Sequence, residues 1–346
     1  MIILGIETSC DETALCLLER QGDEYRVIEN IVHSQIDLHK EFGGVYPMLA
    51  KREHTKNLPI LYGKLIKDSG ISESQIDSIA VTYGPGLEPA LWTGITFAKE
   101  LTKKLNIPLI PVNHMEGHIV SSFLDMPSKI FRKLKPQEFP AIALLISGGH
   151  TEIVKVNKIG DYEILGRTQD DAVGEAFDKV ARMLNLPYPG GPEISKFAEE
   201  ARIKKTPKEF TLPRPMIHSK DHNFSFSGLK TSVLYTLREK GELTHEQKID
   251  LCREFEDSVT EVLTTKLKNI LDEYECKTII VGGGVIANAH IRKELEKLAN
   301  KFNIPISLPH KDLTGDNAIM IALAGAIDGT TKPSEEGLVA KGNLSF

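Results

Sequence analysis

Apolar segments separated by polar turns predict two hairpins of the same design. The chain opens with an apolar run at 2–6, which is followed by a polar turn and by a second apolar segment at 14–18. About 140 residues later, the apolar run 141–146 precedes the turn Gly148-Gly149-His150 and a returning strand at 152–156. Two hairpins of one design predict two domains built on one plan.

Other apolar segments predict strands that lead into helices. Strands are predicted to begin near Ser78, Leu109 and Thr278, and each is followed by apolar residues at helical spacing. A further apolar helix is predicted at 315–327. Strands that alternate with helices indicate layered α/β domains. The segment 185–222 is rich in proline and glycine, and we predict an extended loop or accessory insertion there.

Composition indicates a globular chain rather than a disordered or membrane-spanning one. The 346 residues suggest two domains of about 150 residues each. Hydrophobic residues make up 41% and charged residues 26%, which is ordinary for a globular protein. The longest apolar runs, 141–146 and 319–327, are too short to span a bilayer, and no secretory signal is expected. Four cysteines without metal-site spacing predict a cytoplasmic location.

Net charge excludes a globally basic nucleic-acid binder but is compatible with local contacts to nucleic acid. The formal charge is −6, whereas 128–137 carries four basic residues and no acid, and 201–240 is also basic. Such stretches are either solvated faces or contacts to an anionic partner. The best candidates for contacts to nucleic acid are Lys129, Arg132, Lys133 and Lys135.

A pair of histidines predicts a metal site. His114 and His118 are four residues apart, so both rings would share one helix face. Met115 stands where a zinc protease would carry its glutamate, which disfavours a metalloprotease. Asp316 is the candidate third ligand, and two histidines with one carboxylate suit Fe(II) or Zn(II). The alternatives are histidines of the core and an Asp316 that only caps a helix.

Glycine-rich turns predict contacts to a nucleotide. The Ser147-Gly148-Gly149 turn would offer backbone N–H groups to an anion, and Gly283 with Asn288 would approach a nucleoside. Asp11 and Glu12 lie in the turn of the first hairpin, where phosphates or a metal are expected. The alternatives are ordinary turn residues and, for Asn288, a helix cap.

Eight short motifs, taken together in their order, resemble one family. GIETSCDET, HMEGH, LISGGHTE, DDAVGEAFDK, YPGGP, FSFSGLKT, GGGVIAN and GDNA occur between about residue 2 and about residue 327. They resemble the tRNA N6-adenosine threonylcarbamoyltransferases of bacteria and organelles, which were once described as O-sialoglycoprotein endopeptidases.

This resemblance implies a fold and a set of site residues. The fold is two actin-like domains of the ASKHA, ribonuclease H-like class, with a nucleotide and metal cleft between them. The first domain is expected at 1–115 plus about 325–346, and the second at 116–324 with the insertion around 185–222. The implied ligands of one divalent metal, Fe(II) or Zn(II), are His114, His118 and Asp316. The implied substrate-binding residues are Leu145, Ile146, Ser147, Gly148, Gly149, Asp178, Gly191, Ser195 and Asn288, to which the glycine-rich turn adds Gly283.

The resemblance also implies a reaction and partners. The threonylcarbamoyl group of threonylcarbamoyl-AMP is transferred to N6 of adenosine 37 in tRNAs that read codons beginning with A. Asp11 and Glu12 are the candidates to orient or deprotonate the amine across the cleft, and ATP or ADP is expected in the nucleotide site. The implied partners are tRNA, a paralogous inactive actin-like subunit, a small P-loop ATPase and a separate synthase of threonylcarbamoyl-AMP, with no membrane.

Two other functions fit parts of the pattern. A metal-independent ATPase or sugar kinase of the same fold would share the hairpins and the glycine-rich turns, but would not need His114, His118 and Asp316. A nucleotide-binding scaffold that organises partners would also lack a complete set of metal ligands. A tightly bound transition metal would distinguish the transferase from both.

Overall fold

Eleven strands and ten α-helices form the regular structure of residues 1–327 and 337–346, which are the residues that the computed structural model describes. The strands are β1 (Ile2–Glu7), β2 (Glu12–Gln21), β3 (Glu24–Ser34), β4 (Ser78–Gly84), β5 (Leu109–Asn113), β6 (Arg132–Lys133), β7 (Ala141–Ile146), β8 (Thr151–Lys158), β9 (Asp161–Arg167), β10 (Thr278–Gly282) and β11 (Ile306–Ser307). The helices are α1 (Ile36–His39), α2 (Pro47–Ser69), α3 (Glu88–Leu105), α4 (His114–Ser121), α5 (Val173–Met183), α6 (Gly190–Lys204), α7 (Ser227–Lys240), α8 (His245–Glu273), α9 (Ala289–Phe302) and α10 (Ala318–Ala326).

These elements divide into two compact units. Unit 1 comprises Met1–Gln137, Lys158–Tyr162 and Ser307–Phe346, and unit 2 comprises Glu138–Asn157 and Glu163–Ile306. The sequence-based boundary at 115/116 therefore cuts through α4, all of which lies in unit 1. Within the predicted segment 325–346 of the first domain, residues 328–336 lie outside the described residues.

Unit 1 is built on a six-stranded sheet with the order β5-β4-β1-β2-β3-β6. β1 and β2 pair antiparallel, which confirms the first predicted hairpin, and β4 and β5 extend the sheet in parallel. Helix α10 packs directly on β1 because Gly5 has no side chain. A Cβ at Gly5 would lie 2.4 Å from the carbonyl oxygen of Ala318. This close approach fixes the start of α10 above the end of β1.

Unit 2 carries a five-stranded sheet with the order β11-β10-β7-β8-β9. β7 and β8 pair antiparallel, which confirms the second predicted hairpin, and β10 runs parallel to β7. Helices α5, α6, α8 and α9 pack against one another in this unit. The hairpin and its parallel neighbour repeat the arrangement of β2, β1 and β4 in unit 1.

The predicted loop at 185–222 is wrong for its first half, because Gly190–Lys204 form helix α6. Its glycines and Pro192 fall in the first turn, where missing side chains and a missing N–H cost little. Ile194, Ala198 and Ala201 then recur at helical spacing and are buried. The helix ends where Lys205 adopts a left-handed conformation with φ of 53°.

No helix within residues 1–327 and 337–346 combines the length and the apolar character needed to cross a bilayer.

Candidate functional site

The three predicted metal ligands lie together in unit 1. Nε2 of His114 is 3.3 Å from Oδ1 of Asp316, and Nε2 of His118 is 3.4 Å from the same oxygen. One ligand atom from each residue fits within 4.8 Å of the others. Both ring nitrogens of His118 are buried and have no hydrogen-bond partner among the described residues. Two imidazole nitrogens and a carboxylate oxygen in this arrangement fit a divalent transition metal.

Helix caps leave these ligands free to face one another. Asn113 caps α4 by accepting a hydrogen bond from the backbone N–H of Met115 at 2.9 Å. Asn317 caps α10 by accepting from the N–H of Met320 at 3.1 Å. Asp316 is therefore not the cap of α10, and its carboxylate faces the histidines instead.

Glu7 is a site residue that the sequence analysis missed. Its Oε2 lies 3.0 Å from Nδ1 of His114 and accepts a 2.6 Å hydrogen bond from the hydroxyl of Thr82. The side chain of Glu7 is fully buried at the end of β1. A charged residue that ends an apolar strand was the signal available in the sequence. Because Glu7 accepts a hydrogen bond from Nδ1 of His114, it favours the tautomer that is protonated at Nδ1. Nε2 is then the nitrogen available to a metal.

Two buried carboxylates surround His114. Burial alone would raise the pKa of Asp316, but the charges of the adjacent His114 and His118 hold it well below its usual range. Burial alone would lower the pKa of His114, but Asp316 and Glu7 raise it well above its ordinary value. Burial lowers the pKa of His118. The electrostatics of the site therefore favour a cation between the carboxylates and a neutral His118.

Asp11 and Glu12 belong to the same unit as His114, His118 and Asp316. The hairpin turn that holds them lies in unit 1, as do α4 and Asp316. Burial, with the charges of Asp11 and Asp316, raises the pKa of Glu12 to about 10. The hydroxyl of Ser34 donates to Glu12 at 3.2 Å.

Unit 2 contains a cavity of about 710 Å³ that brings together most of the predicted nucleotide-binding segments. Its lining includes five residues of the predicted substrate-binding set, Gly148, Asp178, Gly191, Ser195 and Asn288. Helix α6 contributes one face, and the start of α9 contributes another. The volume is that of an ordinary small-molecule site.

The Ser147-Gly148-Gly149 turn packs against the first turn of α5. The N–H of Gly174 donates to the carbonyl of Ser147 at 3.2 Å, and a Cβ at Gly174 would lie 2.8 Å from Cα of Gly148. Added Cβ atoms at Gly148 and Gly149 would meet nothing within 4 Å. A glycine turn beside a helix N-terminus suits an anionic group.

Five residues of the predicted substrate-binding set do not line the cavity, namely Leu145, Ile146, Ser147, Gly149 and Gly283. Leu145 and Ile146 are fully buried in β7. Gly283 has φ of +95°, and a Cβ there would lie 2.3 Å from the carbonyl oxygen of Ile146. A bulky residue at Gly283 would therefore disturb the fold itself, because it would collide with the backbone of β7.

Asn288 both lines the cavity and caps α9. Its Oδ1 accepts from the N–H of Ile291 at 3.0 Å, and its Nδ2 donates to Oε1 of Glu256 at 2.6 Å. Glu256 is fully buried and pairs with Arg202, which also lines the cavity. This ion pair joins α6 to α8 and fixes the amide of Asn288. Nothing in the local sequence pointed to Glu256 or Arg202.

Asp170 connects two of the sequence motifs that are far apart in the chain. It accepts hydrogen bonds from the hydroxyls of Ser225 and Ser227 and from the N–H groups of Phe226 and Ser227, at 2.6–3.2 Å. Asp170 thereby anchors the start of α7. Lys230, in the next turn, lies 3.4 Å from Asp171.

Most of the basic groups at 128–137 have partners within the chain. Lys129 pairs with Glu29 at 2.9 Å, and Lys133 pairs with Asp23 at 2.6 Å. The ammonium group of Lys135 donates to the carbonyls of Ser122 and Leu308. This stretch therefore offers less free positive charge than its sequence suggests.

Comparison with known proteins identifies close relatives. The family model for tRNA N6-adenosine threonylcarbamoyltransferase matches residues 26–323. The enzyme of that name from Thermosipho africanus is 48% identical over 94% of this chain and 93% of its own length. The one from Chromobacterium violaceum is 44% identical over 94% and 93%. These matches confirm the resemblance carried by the eight motifs.

Solved structures confirm the fold class. HypF from T. kodakarensis aligns with a TM-score of 0.59 at 14% identity, over 94% of this chain and 47% of that one. An activator of 2-hydroxyisocaproyl-CoA dehydratase from Clostridium difficile, with bound ADPNP, aligns with a TM-score of 0.51 at 13% identity, over 94% of both chains. At these identities the likeness is one of fold alone, and it confirms an α/β protein of two actin-like domains.

Proposed function

The chain belongs to the tRNA N6-adenosine threonylcarbamoyltransferase family, and from that premise we propose which residues carry out the transfer. The enzyme forms t6A by attaching a threonylcarbamoyl group to N6 of adenosine 37 in tRNAs that read codons beginning with A. The observation that carries the proposal is the convergence of His114, His118 and Asp316, with Asp11 and Glu12 in the same unit.

The proposed donor is threonylcarbamoyl-AMP, whose adenylate part binds in the cavity of unit 2. The phosphate is held by the backbone N–H groups of Gly148 and Gly149, since those of Ser147 and Gly174 donate to carbonyl oxygens of the chain. The nucleoside lies against Asp178, Gly191, Ser195 and Asn288. Support comes from the cavity lining, which contains these four residues and Gly148. ATP or ADP would compete for the same cavity.

His114, His118 and Asp316 are proposed to hold one Fe(II) or Zn(II) ion. When bound, such an ion supplies Lewis-acid polarisation of an oxygen of the substrate. Glu7 keeps His114 in the tautomer that offers Nε2. His118 remains neutral because of its burial, as a metal-binding imidazole must be.

The transfer itself requires positioning more than covalent catalysis. The N6 amine forms a bond to the carbamoyl carbon, the bond from that carbon to the phosphate oxygen breaks, and AMP leaves with the electron pair. The amine gives up one proton during this exchange. Asp11 and Glu12 are proposed to orient the amine, and Asp11 to receive that proton, because the raised pKa of Glu12 keeps its carboxyl protonated near neutral pH. The geometry of the site supplies much of the acceleration.

We propose three protein partners beyond tRNA: a paralogous inactive actin-like subunit, a small P-loop ATPase, and a separate synthase that makes threonylcarbamoyl-AMP. These proposals, and a cytoplasmic location, rest on the ordered motifs that this chain shares with the family. The alternative of a metal-independent ATPase or sugar kinase is set aside, since family membership assigns the transferase activity.

Depletion of the protein in cells, followed by nucleoside analysis of bulk tRNA, tests this function. We expect t6A to fall while other modified nucleosides keep their levels. Expression of the wild-type chain should restore t6A, and expression of the Asp316→Asn variant should not. Unchanged t6A after depletion would contradict the function, and full rescue by Asp316→Asn would contradict the assigned site.

A further inference from the structure

Large apolar side chains are concentrated on the surface of the segment that follows β3. Leu38, Phe42, Tyr46 and Met48 are each between 45% and 57% exposed. Four exposed apolar side chains within eleven residues indicate an interaction surface rather than isolated apolar residues. We refer to Leu38, Phe42, Tyr46 and Met48 as the aromatic surface.

Two rings form the centre of this surface. The rings of Phe42 and Tyr46 stack with centroids 5.6 Å apart and an interplanar angle of 23°. Stacking of one ring on the other hides part of each, and both side chains are still more than half exposed. Flat aromatic faces that remain open to solvent are suited to stacking of a further planar ring.

The aromatic surface is tethered to the turn that holds Asp11 and Glu12. The N–H of Gln35 donates to the carbonyl of Asp11 at 3.0 Å. The side chain of Gln35 lies 3.2 Å from Nε2 of His39, and Nδ1 of His39 accepts from the N–H of Tyr46 at 3.3 Å. Gln35 and His39 are both buried. Tyr46 is thus connected to the Asp11–Glu12 turn through two buried side chains within one unit.

Positive charge follows directly after the aromatic surface. Tyr46 precedes α2, whose first two turns present the exposed residues Lys51 and Arg52. Arg52 lies 3.6 Å from Glu53, whereas Lys51 makes no ion pair with any described residue. Aromatic faces next to cations are the combination that binds single-stranded nucleic acid, where bases stack and phosphates are neutralised.

We propose that the aromatic surface is a stacking platform for unpaired bases of the tRNA loop that contains the acceptor adenosine. A base next to that adenosine stacks on the Phe42–Tyr46 pair, and Lys51 contacts the backbone phosphates. The inference rests on the proposed position of the acceptor at the Asp11–Glu12 turn. A protein partner could also cover an apolar surface, but the link to that turn and the adjacent cation favour RNA.

Steady-state kinetics with the full chain, its metal and its partner proteins test the platform. Phe42→Ala, Tyr46→Ala and the double variant should raise the KM for tRNA, by about tenfold for the single changes and by more for the double change. The kcat at saturating tRNA, the affinity for threonylcarbamoyl-AMP and the metal content should not change. Phe42→Tyr and Tyr46→Phe should retain wild-type KM values, since they keep the flat face.

Tyr235→Ala is the matched control, because Tyr235 is a 61% exposed aromatic residue on α7. It should leave the KM for tRNA unchanged. A tRNA with 2-aminopurine beside adenosine 37 provides a direct readout, since stacking on the platform quenches its fluorescence with wild type and less so with the double variant.

Two results would overturn the proposal. One is an unchanged tRNA KM and unchanged quenching in the double variant. The other is a higher KM that returns to the wild-type value at saturating partner protein, which would make the aromatic surface a protein interface. The proposed acceptor position is tested separately by Glu12→Ala, which should lower kcat while the KM for tRNA is unaffected.

Discussion

Glu7 lies 3.0 Å from Nδ1 of His114, on the side of the ring opposite to Asp316. The imidazole is therefore held between two carboxylates, one at the end of β1 and one before α10. Burial alone would raise the pKa of Glu7, but the charge and the hydrogen bond of His114 keep it below its usual range. An ionised Glu7 accepts a hydrogen bond from the N–H group at Nδ1 of His114. Nε2 of the same ring is then the nitrogen that can bind a metal.

Replacement of Glu7 by glutamine should weaken metal binding without removing any ligand. We expect an affinity loss of about 10- to 100-fold, because the ring of His114 loses its charged partner. Competition with a chelator measures this directly. Glu19→Gln is the control, since Glu19 pairs with Arg26 on the same sheet and does not contact the histidines. Equal affinity in Glu7→Gln and wild type would show that Glu7 does not position the ligand.

Gly191 offers a steric test of the nucleotide cavity. It lines the cavity in the first turn of α6, and an added Cβ meets nothing within 4 Å. Gly191→Val should therefore fill the space of the ligand and abolish adenylate binding in calorimetry while the chain stays folded. Gly228→Val is the matched control, because Gly228 occupies the same position in α7, with the same free space, and does not line the cavity. Adenylate binding by Gly191→Val at wild-type affinity would place the nucleotide elsewhere.

Replacement of Gly283 should lower the stability of the fold, in contrast to replacement of Gly191, which should affect ligand binding. Its positive φ and the nearby carbonyl of Ile146 leave no room for a methyl group. We expect Gly283→Ala to lower the free energy of unfolding by roughly 1–3 kcal/mol in denaturant titrations. Gly63→Ala in α2, where nothing lies within 4 Å, should cause no loss. If Gly283→Ala were as stable as wild type, the backbone at this position would tolerate a side chain, which would contradict the prediction.

The hydrogen bonds that the Asp170 carboxylate accepts at the start of α7 should make the stability of the fold depend on pH. Burial alone would raise its pKa, but hydrogen bonds from Ser225 and Ser227 and from two backbone amides hold it below its ordinary value. A lowered pKa means that the stabilisation is complete above the unfolded-state value and is lost as pH falls through the folded-state value. At pH 7, Asp170→Asn should cost about 1 kcal/mol of unfolding free energy.

The cost of Asp170→Asn should begin to shrink below about pH 4, where the carboxylate of the unfolded chain takes up a proton, and should vanish once pH has fallen below the lower folded-state pKa. Unfolding titrations at neutral and acid pH check this. Asp68→Asn, at an exposed position of α2, is the control and should change stability little at either pH. A cost that is the same at both pH values would contradict a role for the charge of Asp170.

The sequence predicts the elements that carry the site because their patterns are local. The hairpins β1–β2 and β7–β8 and the helix that presents His114 and His118 follow from apolar runs and four-residue spacing. Asp316 was a candidate third ligand from its residue type, and the family resemblance implied its pairing with those histidines. The capping role of Asn317 explains why the carboxylate of Asp316 can face them.

Local sequence patterns could not predict the long-range contacts of the site. Glu7 and His114 are 107 positions apart, and Asn288 and Glu256 are 32 apart, so neither pair leaves a periodic signal. Gly283 looks like a ligand-binding glycine in sequence, and only the position of Ile146 shows that it is needed for packing. Helix α6 was hidden because its prolines and glycines cluster at its start.

We propose that His114, His118 and Asp316 hold a metal that threonylcarbamoyl transfer requires. The most direct measurement is the rate of t6A formation as a function of metal bound per chain, with the chain stripped of metal and then titrated with Fe(II) or Zn(II) in the presence of its partners, tRNA and threonylcarbamoyl-AMP. We expect activity to rise in proportion to bound metal and to saturate at one ion per chain. The His114→Ala/His118→Ala variant should bind no ion and form no t6A. Full activity of the stripped wild-type chain, or of that variant, would contradict it.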